Sequence, residues 1–70
     1  MRAGVPDLVA VKAGHTYALE LKAPGGRLSP VQQEVHAALA AAGATVAVAT
    51  GLDEALATLE SWGLLRGHTA

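Results

Sequence analysis

The sequence contains no cysteine, phenylalanine or isoleucine, and it has a single tyrosine and a single tryptophan. The absence of cysteine excludes a disulfide-stabilised scaffold and any metal site built on thiolates. Charge is also scarce, because five lysine and arginine residues stand against six aspartate and glutamate residues, and the net charge is -1. This balance argues against a generally basic nucleic-acid binder, but it allows an enzyme whose acidic metal site has a local positive rim.

Long apolar runs are missing as well. A membrane-spanning helix needs about 18 consecutive apolar residues, and no such run occurs without a charge or a glycine. Arg2 follows Met1 without a subsequent apolar segment, so we expect no signal peptide and a cytoplasmic protein. The hydrophobic fraction of 51% still excludes a disordered chain at this net charge. We expect one domain over residues 1–70, with residues 66–70 as a flexible tail.

Alanine supplies much of the apolar content, so the predicted core is thin. The chain has sixteen alanines, ten leucines and seven valines. A domain of this size buries only about 60% of the surface that its unfolded chain exposes, and no disulfide adds to its stability. We therefore expect the chain to associate, most simply as a homodimer.

Two strands are predicted near the start of the chain. Residues 8–12 and 16–23 are rich in apolar residues, and the short turn between them contains Gly14. Alternation along the second segment places Glu20 and Lys22 on the same face. The two segments are close enough in the chain to form an antiparallel hairpin.

A helix and a third strand follow. Ser29 and Pro30 are typical of an N-cap and a first helical residue, and Gln32 has the spacing of a capping box. Gly43 is a good helix terminator, and residues 44–50 then form a strand of valine, alanine and threonine. The helical crossover predicts that this strand runs parallel to the second one.

A second helix completes the predicted fold. Asp53 is its expected N-cap, and its apolar positions are Leu52, Leu56, Leu59 and Trp62. The order is then β-β-α-β-α. The predicted fold class is α/β, with a three-stranded mixed sheet and helices packed on it.

Three ionisable residues occur where a sheet protein would not need them. Asp7 lies at the start of the first predicted strand, and Glu20 and Lys22 lie inside the second. A carboxylate and an ammonium on a central strand are costly unless they are paired or bound to a metal. The hairpin brings Asp7 across from the end of the second strand, and two converging carboxylates suit Mg²⁺ or Mn²⁺. A surface ion pair between Glu20 and Lys22, on the solvent face of a two-layer sheet, is the simpler alternative.

Three segments together resemble one nuclease family: GVPD at residues 4–7, LELKAPGG at residues 19–26 and LSPVQ at residues 28–32. The combined pattern is similar to the VRR-NUC branch of the PD-(D/E)XK nuclease superfamily, most of all to its small stand-alone phage and bacterial members. The resemblance covers residues 4 to about 60. It implies a restriction-endonuclease-like core and metal-dependent hydrolysis of DNA phosphodiesters, often in branched DNA such as Holliday junctions or flaps.

The resemblance also implies roles for individual residues. Asp7 and Glu20 would be ligands of Mg²⁺ or Mn²⁺, with the backbone carbonyl of Leu21 as a further ligand. Lys22 would be the catalytic lysine. The glutamine that opens the family's helix corresponds to Gln32, for which a capping role and an active-site role are both open and are compatible.

One departure from the family pattern concerns the start of the chain. Family members usually have a helix bearing a glutamate and another strand before this region, whereas three residues precede Gly4 here. The predicted fold is therefore a core lacking that N-terminal helix and strand, with residues 8–12 as an exposed edge. A non-catalytic nucleic-acid- or protein-binding remnant of the same fold is the alternative function. A third interpretation is a βαβ oligomerisation domain in which Glu20 and Lys22 merely pair.

Four further residues could contact a DNA backbone. They are Lys12, His15, Arg27 and His36. Each is more typical of a solvent-exposed residue, although Arg27 belongs to the glycine-rich segment beside the predicted site. His36 follows Gln32 by one helical turn and shares its face, but a surface histidine is the favoured interpretation.

Overall fold

The computed structural model describes residues 4–65, so the predicted tail at residues 66–70 lies outside the described residues. Five elements follow one another in the predicted order. They are β1 (Leu8–Lys12), β2 (His15–Lys22), α1 (Pro30–Ala41), β3 (Thr45–Thr50) and α2 (Gly51–Ser61). The α/β class and the β-β-α-β-α order are confirmed.

β2 is the central strand of a three-stranded mixed sheet, in the order β1-β2-β3. β1 pairs with it antiparallel, with Leu8 opposite Leu19. β3 pairs with it parallel, with Leu21 opposite Ala49. The hairpin and the parallel crossover that the sequence predicts are therefore both present, and the carboxyl ends of β2 and β3 meet at one edge of the sheet.

The two helices cover opposite faces of this sheet. Leu19 faces α2 and forms the core with Ala49 and Ala55. Its neighbour Glu20 faces α1, since it contacts side chains of that helix. Successive side chains of a strand point to opposite faces, so a single step along β2 separates the apolar core from a polar cluster.

The core is as thin as the composition predicts. Three buried apolar side chains form it, namely Leu19, Ala49 and Ala55, while Ala18 is buried on the opposite face of β2. Within the described residues, Leu19 is the one large side chain that is fully buried. Tyr17 and Trp62 extend this core with ring centroids 5.2 Å apart. Neither helix in residues 4–65 has the length and apolar content that a membrane crossing requires.

The beginning of α2 differs from the prediction. β3 runs directly into the helix, so Thr50 is the N-cap and Asp53 lies in the first turn. The backbone N–H of Thr50 donates to Glu54 Oε1 at 2.7 Å. Glu54 therefore accepts from the backbone of the N-cap residue, and the expectation that Asp53 is the N-cap was wrong because the N-cap lies three residues earlier, at Thr50.

The buried face of α2 also differs in part from the prediction. Ala55 is the buried residue of this helix, and the half-buried Leu59 and Trp62 pack against the core as expected. Leu52 and Leu56 are instead exposed, Leu52 at 70%. At about 100° per residue, Leu52 and Leu56 lie about 60° and about 100° around the helix from Ala55, so they flank the buried face.

Candidate active site

Glu20 is the buried charged residue from which the candidate site is built. Its exposed fraction is 3%, and it lies on the central strand on the face covered by α1. The alternative that Glu20 lies on a solvent-facing surface is therefore wrong. Burying a carboxylate is costly unless nearby groups compensate for the lost water, so its neighbours define what the site can do.

Gln32 joins Glu20 to Lys22. Its Nε2 donates to Glu20 Oε2 at 3.4 Å, and its Oε1 accepts from Lys22 Nζ at 3.0 Å. The same Oε1 accepts from the backbone N–H of Ser29, and Ser29 Oγ accepts from the backbone N–H of Gln32. The capping box and the site contact are thus both present, as the sequence allows. Lys22 is held by an amide oxygen, which contradicts the interpretation that Lys22 merely pairs with Glu20.

Asp7 reaches the same end of β2 from the segment before β1. Its Oδ2 accepts from the backbone N–H of Leu21 at 2.8 Å. This hydrogen bond extends the pairing of β1 with β2 by one step beyond Leu8 and Leu19. The structure therefore places Asp7 at the end of β2, one residue along the strand from Glu20.

The pKa of Glu20 is raised above its ordinary value of 4.5. Burial is the largest cause, because it disfavours the charged form. A hydrogen bond that protonated Glu20 donates to the Asp7 carboxylate and the negative charge of Asp7 raise it further, while His36 and Lys22 act in the opposite direction. A carboxyl group in this environment gains from any cation that approaches, because the cation stabilises the charged form.

His36 lies against Glu20 on the side away from solvent. It is the buried residue of α1, exposed at 8%, and its Nε2 lies 3.4 Å from Glu20 Oε1. The favoured interpretation of a surface histidine was wrong, and burial also leaves His36 no access to a DNA backbone. Its helical spacing from Gln32 was visible in the sequence, but the closeness of α1 to β2 was not.

Gly4 allows the segment that carries Asp7, residues 4–7, to lie close against α1. It has a φ of 84°, and a Cβ built on it would lie 2.8 Å from Val35 Cγ2 and 2.9 Å from Val31 Cγ1. No side chain fits between this backbone and the first turns of α1. The absence of a side chain at Gly4 therefore lets the segment lie directly on α1, which aims Asp7 at the end of β2.

Of the three remaining DNA-contact candidates, Lys12 and His15 lie apart from this cluster. Lys12 is paired with His15 at the start of β2, which is about 16 Å from Glu20 at the usual rise of a strand. Lys12 Nζ donates to the carbonyl of Gly63, and His15 Nε2 is 2.7 Å from Thr45 Oγ1. Arg27 is exposed in the segment between β2 and α1, near the Lys22 end.

The side chains at the site that could bind a cation are two carboxylates, those of Asp7 and Glu20. Within residues 4–65, no three histidine, aspartate or glutamate side chains form a cluster that could hold a metal ion. Two carboxylates are nevertheless a sufficient protein contribution for a hard cation, since Mg²⁺ is usually held by one or two carboxylates and keeps several waters or phosphate oxygens. The buried Oε1 of Glu20 has no hydrogen-bond partner among the described residues, so this carboxylate has lone pairs to offer.

Comparison with known proteins identifies a family for this chain. No curated protein and no solved structure matches the chain. The sequence model described as VRR-NUC domain matches residues 1–53, a stretch that contains Asp7, Glu20, Lys22 and Gln32. This match spans most of the 70 residues, and the chain therefore belongs to the VRR-NUC domain family, a family of nucleases.

Proposed function

We propose that this chain is a metal-dependent endonuclease that hydrolyses DNA phosphodiester bonds, with a preference for branched DNA such as Holliday junctions or flaps. The observation that carries the proposal is the buried Glu20, which has Asp7 beside it and is linked through Gln32 to Lys22. Membership of a nuclease family supports the reaction class. The branched substrate rests on the resemblance alone.

The residues present fit a divalent cation. Asp7 and Glu20 would hold Mg²⁺ or Mn²⁺ through their carboxylates, with the backbone carbonyl of Leu21 as a third ligand. The unpartnered Oε1 of Glu20 supports this fit. The ion, when bound, supplies a Lewis acid that polarises a phosphoryl oxygen and lowers the pKa of a water molecule.

Lys22 has the second role in the proposal. Its ammonium is half-buried and is held 3.0 Å from Gln32 Oε1, an uncharged acceptor that leaves its positive charge available. Placed beside the phosphate, this charge stabilises the negative charge that develops in the transition state. Gln32 orients Lys22 and Glu20 together, because each of its two amide atoms contacts one of them.

Single-turnover cleavage of a four-way junction, a flap and a linear duplex tests the function, each with Mn²⁺, with Mg²⁺ and with a chelator. We expect metal-dependent cleavage that is fastest on a branched substrate. Asp7→Asn and Glu20→Gln should abolish cleavage, because each removes a ligand charge with little change in volume. Asp53→Asn, at an exposed position of α2, is the matched control and should cleave at the wild-type rate.

Metal binding is measured separately from cleavage. Mn²⁺ should raise the unfolding temperature of the wild-type chain, because a ligand that binds only the folded state stabilises it by mass action. Neither Asp7→Asn nor Glu20→Gln should show this increase. An unchanged increase in either variant would place the ligands elsewhere.

A non-catalytic binding module is the second candidate function. The observation that favours it is that the described residues provide two converging carboxylates and no cluster of three. A wild-type chain that binds branched DNA and Mn²⁺ but cuts none of the three substrates would establish this alternative. A chain that cuts any of them in a metal-dependent manner would exclude it.

A further inference from the structure

His36 and Glu20 form a buried pair that the proposed chemistry does not explain. His36 Nε2 and Glu20 Oε1 are 3.4 Å apart, and both side chains are almost inaccessible. Neither atom has a hydrogen-bond partner in the described part of the chain. A buried polar atom without a partner is costly, so an apolar residue at position 36 would serve the packing of α1 better than histidine does.

The position of His36 on α1 relates it to Gln32. The two residues are one helical turn apart, so their side chains project from the same face. Gln32 Nε2 contacts Oε2 of Glu20, whereas His36 Nε2 faces Oε1. One helix thus presents one nitrogen to each carboxylate oxygen, and these two contacts together restrict how the carboxylate can rotate.

We propose that His36 is a positioning residue, which holds Oε1 of Glu20 so that the carboxylate is oriented for a divalent cation. This inference rests on the proposed function, in which Glu20 is a ligand. A glutamate side chain has several rotatable bonds, and fixing it before the cation arrives removes an entropic cost from binding. Groups that orient a metal ligand in this way typically contribute about 10- to 100-fold in metal affinity.

Three substitutions at His36 test the positioning role by calorimetry with Mn²⁺ and with Mg²⁺. His36→Leu removes the nitrogen and keeps an apolar side chain, and it should weaken the binding of both ions by the same factor, about 10- to 100-fold. His36→Gln places an amide nitrogen near the position of Nε2, and it should restore affinity to within about threefold of the wild-type value. His36→Asn, whose amide is one bond shorter, should not restore it, and it replaces His36→Leu if that variant does not fold.

A matched control separates positioning from packing. Leu39→Ala truncates a half-buried residue of α1 that is not part of the Glu20 cluster. It should lower the unfolding temperature of the metal-free protein and leave both affinities unchanged. His36→Leu should show the opposite result, with a clear loss of affinity and little loss of stability, because leucine fills the buried position and the contact that it removes, 3.4 Å to Glu20 Oε1, is too weak in geometry to be a hydrogen bond.

Three results would overturn the inference. Wild-type affinity in His36→Leu would show that His36 only fills space, while the proposed function stands as long as Glu20→Gln still loses the ion. A much larger loss for Mn²⁺ than for Mg²⁺ would make His36 a direct ligand, since imidazole favours the transition metal. A wild-type chain that binds neither ion would overturn the proposed function and the positioning role together.

Discussion

Lys22 is the residue at which DNA binding and DNA cleavage can be separated most clearly. Its ammonium contacts Gln32 and forms no ion pair with Glu20, so it contributes charge to the site without neutralising the carboxylates. We expect Lys22→Ala to slow cleavage at least about a hundredfold, which corresponds to roughly 2.7 kcal/mol of transition-state stabilisation. DNA affinity should change much less, because a single phosphate contact supplies a modest share of binding. Single-turnover rates and a binding titration on the same junction measure both effects.

Lys12→Ala is the control for this substitution. Lys12 is also a strand lysine, but it lies at the end of β1, opposite the first residue of β2, and donates to the carbonyl of Gly63. Its loss should lower the unfolding temperature and leave the cleavage rate unchanged. Equal rates for Lys22→Ala and the wild type would show that the role implied for Lys22 does not hold in this chain.

The raised pKa of Glu20 makes stability depend on pH in a definite direction. Burial and the neighbouring Asp7 raise this pKa above 4.5, so the folded chain holds the proton more tightly than the unfolded chain. The resulting stabilisation is complete below pH 4.5 and is lost as the pH rises through the folded-state pKa. The glutamine of the Glu20→Gln variant cannot ionise, so this variant should not lose that stabilisation as the pH rises.

Thermal unfolding in a chelating buffer measures this effect. The unfolding temperature of Glu20→Gln minus that of the wild type should increase as the pH rises from acid to neutral. Glu60→Gln, at an exposed position of α2, controls for the amide substitution itself. A difference that is constant or that decreases over this range would contradict the burial of a titrating carboxyl group at position 20.

At the scale of elements, the contact between Gly4 and α1 determines where Asp7 lies. A Cβ at Gly4 would overlap Val31 and Val35, so Gly4→Ala must push the segment away from the helix. We expect a loss of about 1–3 kcal/mol from overpacking, in addition to about 1–2 kcal/mol for an alanine in the left-handed region. Mn²⁺ affinity should also fall, because Asp7 moves with the segment.

Gly14→Ala separates the two contributions to this loss. Gly14 has a similar φ of 79°, but no atom lies within 4 Å of the position a Cβ would take. Its substitution should show the backbone cost alone, with unchanged Mn²⁺ affinity. Denaturant unfolding and calorimetry on both variants provide the comparison. Equal losses of stability in the two variants would mean that α1 is free to move away from Gly4.

At the scale of the whole molecule, the thin core and the open edge of the sheet predict association. β1 is an edge strand, and Val9 and Val11 on it are exposed at 56% and 69%. We expect a homodimer at micromolar concentration in which a second copy covers these side chains. A dimer would also supply two sites, as cleavage of two strands of a junction requires. Sedimentation velocity measures the oligomeric state, and a folded monomer at low micromolar concentration would contradict the prediction of a dimer.

A charge on the edge strand tests which surface associates. Val11→Lys should weaken the dimer, because a lysine on an edge strand opposes pairing with another chain. Leu52→Lys introduces the same charge at an equally exposed apolar residue of α2, and it should leave the dimer intact. The reverse pattern would move the interface to α2.

Features that depend on neighbours in the chain were predictable from the sequence. The hairpin, the Ser29 capping box and the order of elements follow from turn residues, alternation and short spacings, and the structure confirms them. The approach of Asp7 to Glu20 was also predictable, because the register of a short hairpin leaves little choice. The start of α2 was not, since nothing local shows that β3 continues directly into the helix at Thr50.

By itself, the sequence determined the fold class, the family and the identity of the polar residues on β2. Only the tertiary structure decided that α1 covers Glu20, that Gln32 reaches two residues at once and that His36 is buried. The physical reason is distance along the chain. Periodicity shows which residues of a helix share a face, but which strand that face covers depends on how the crossover closes over the sheet. The tight fit of Gly4 against Val31 and Val35 belongs to the same class of long-range contact.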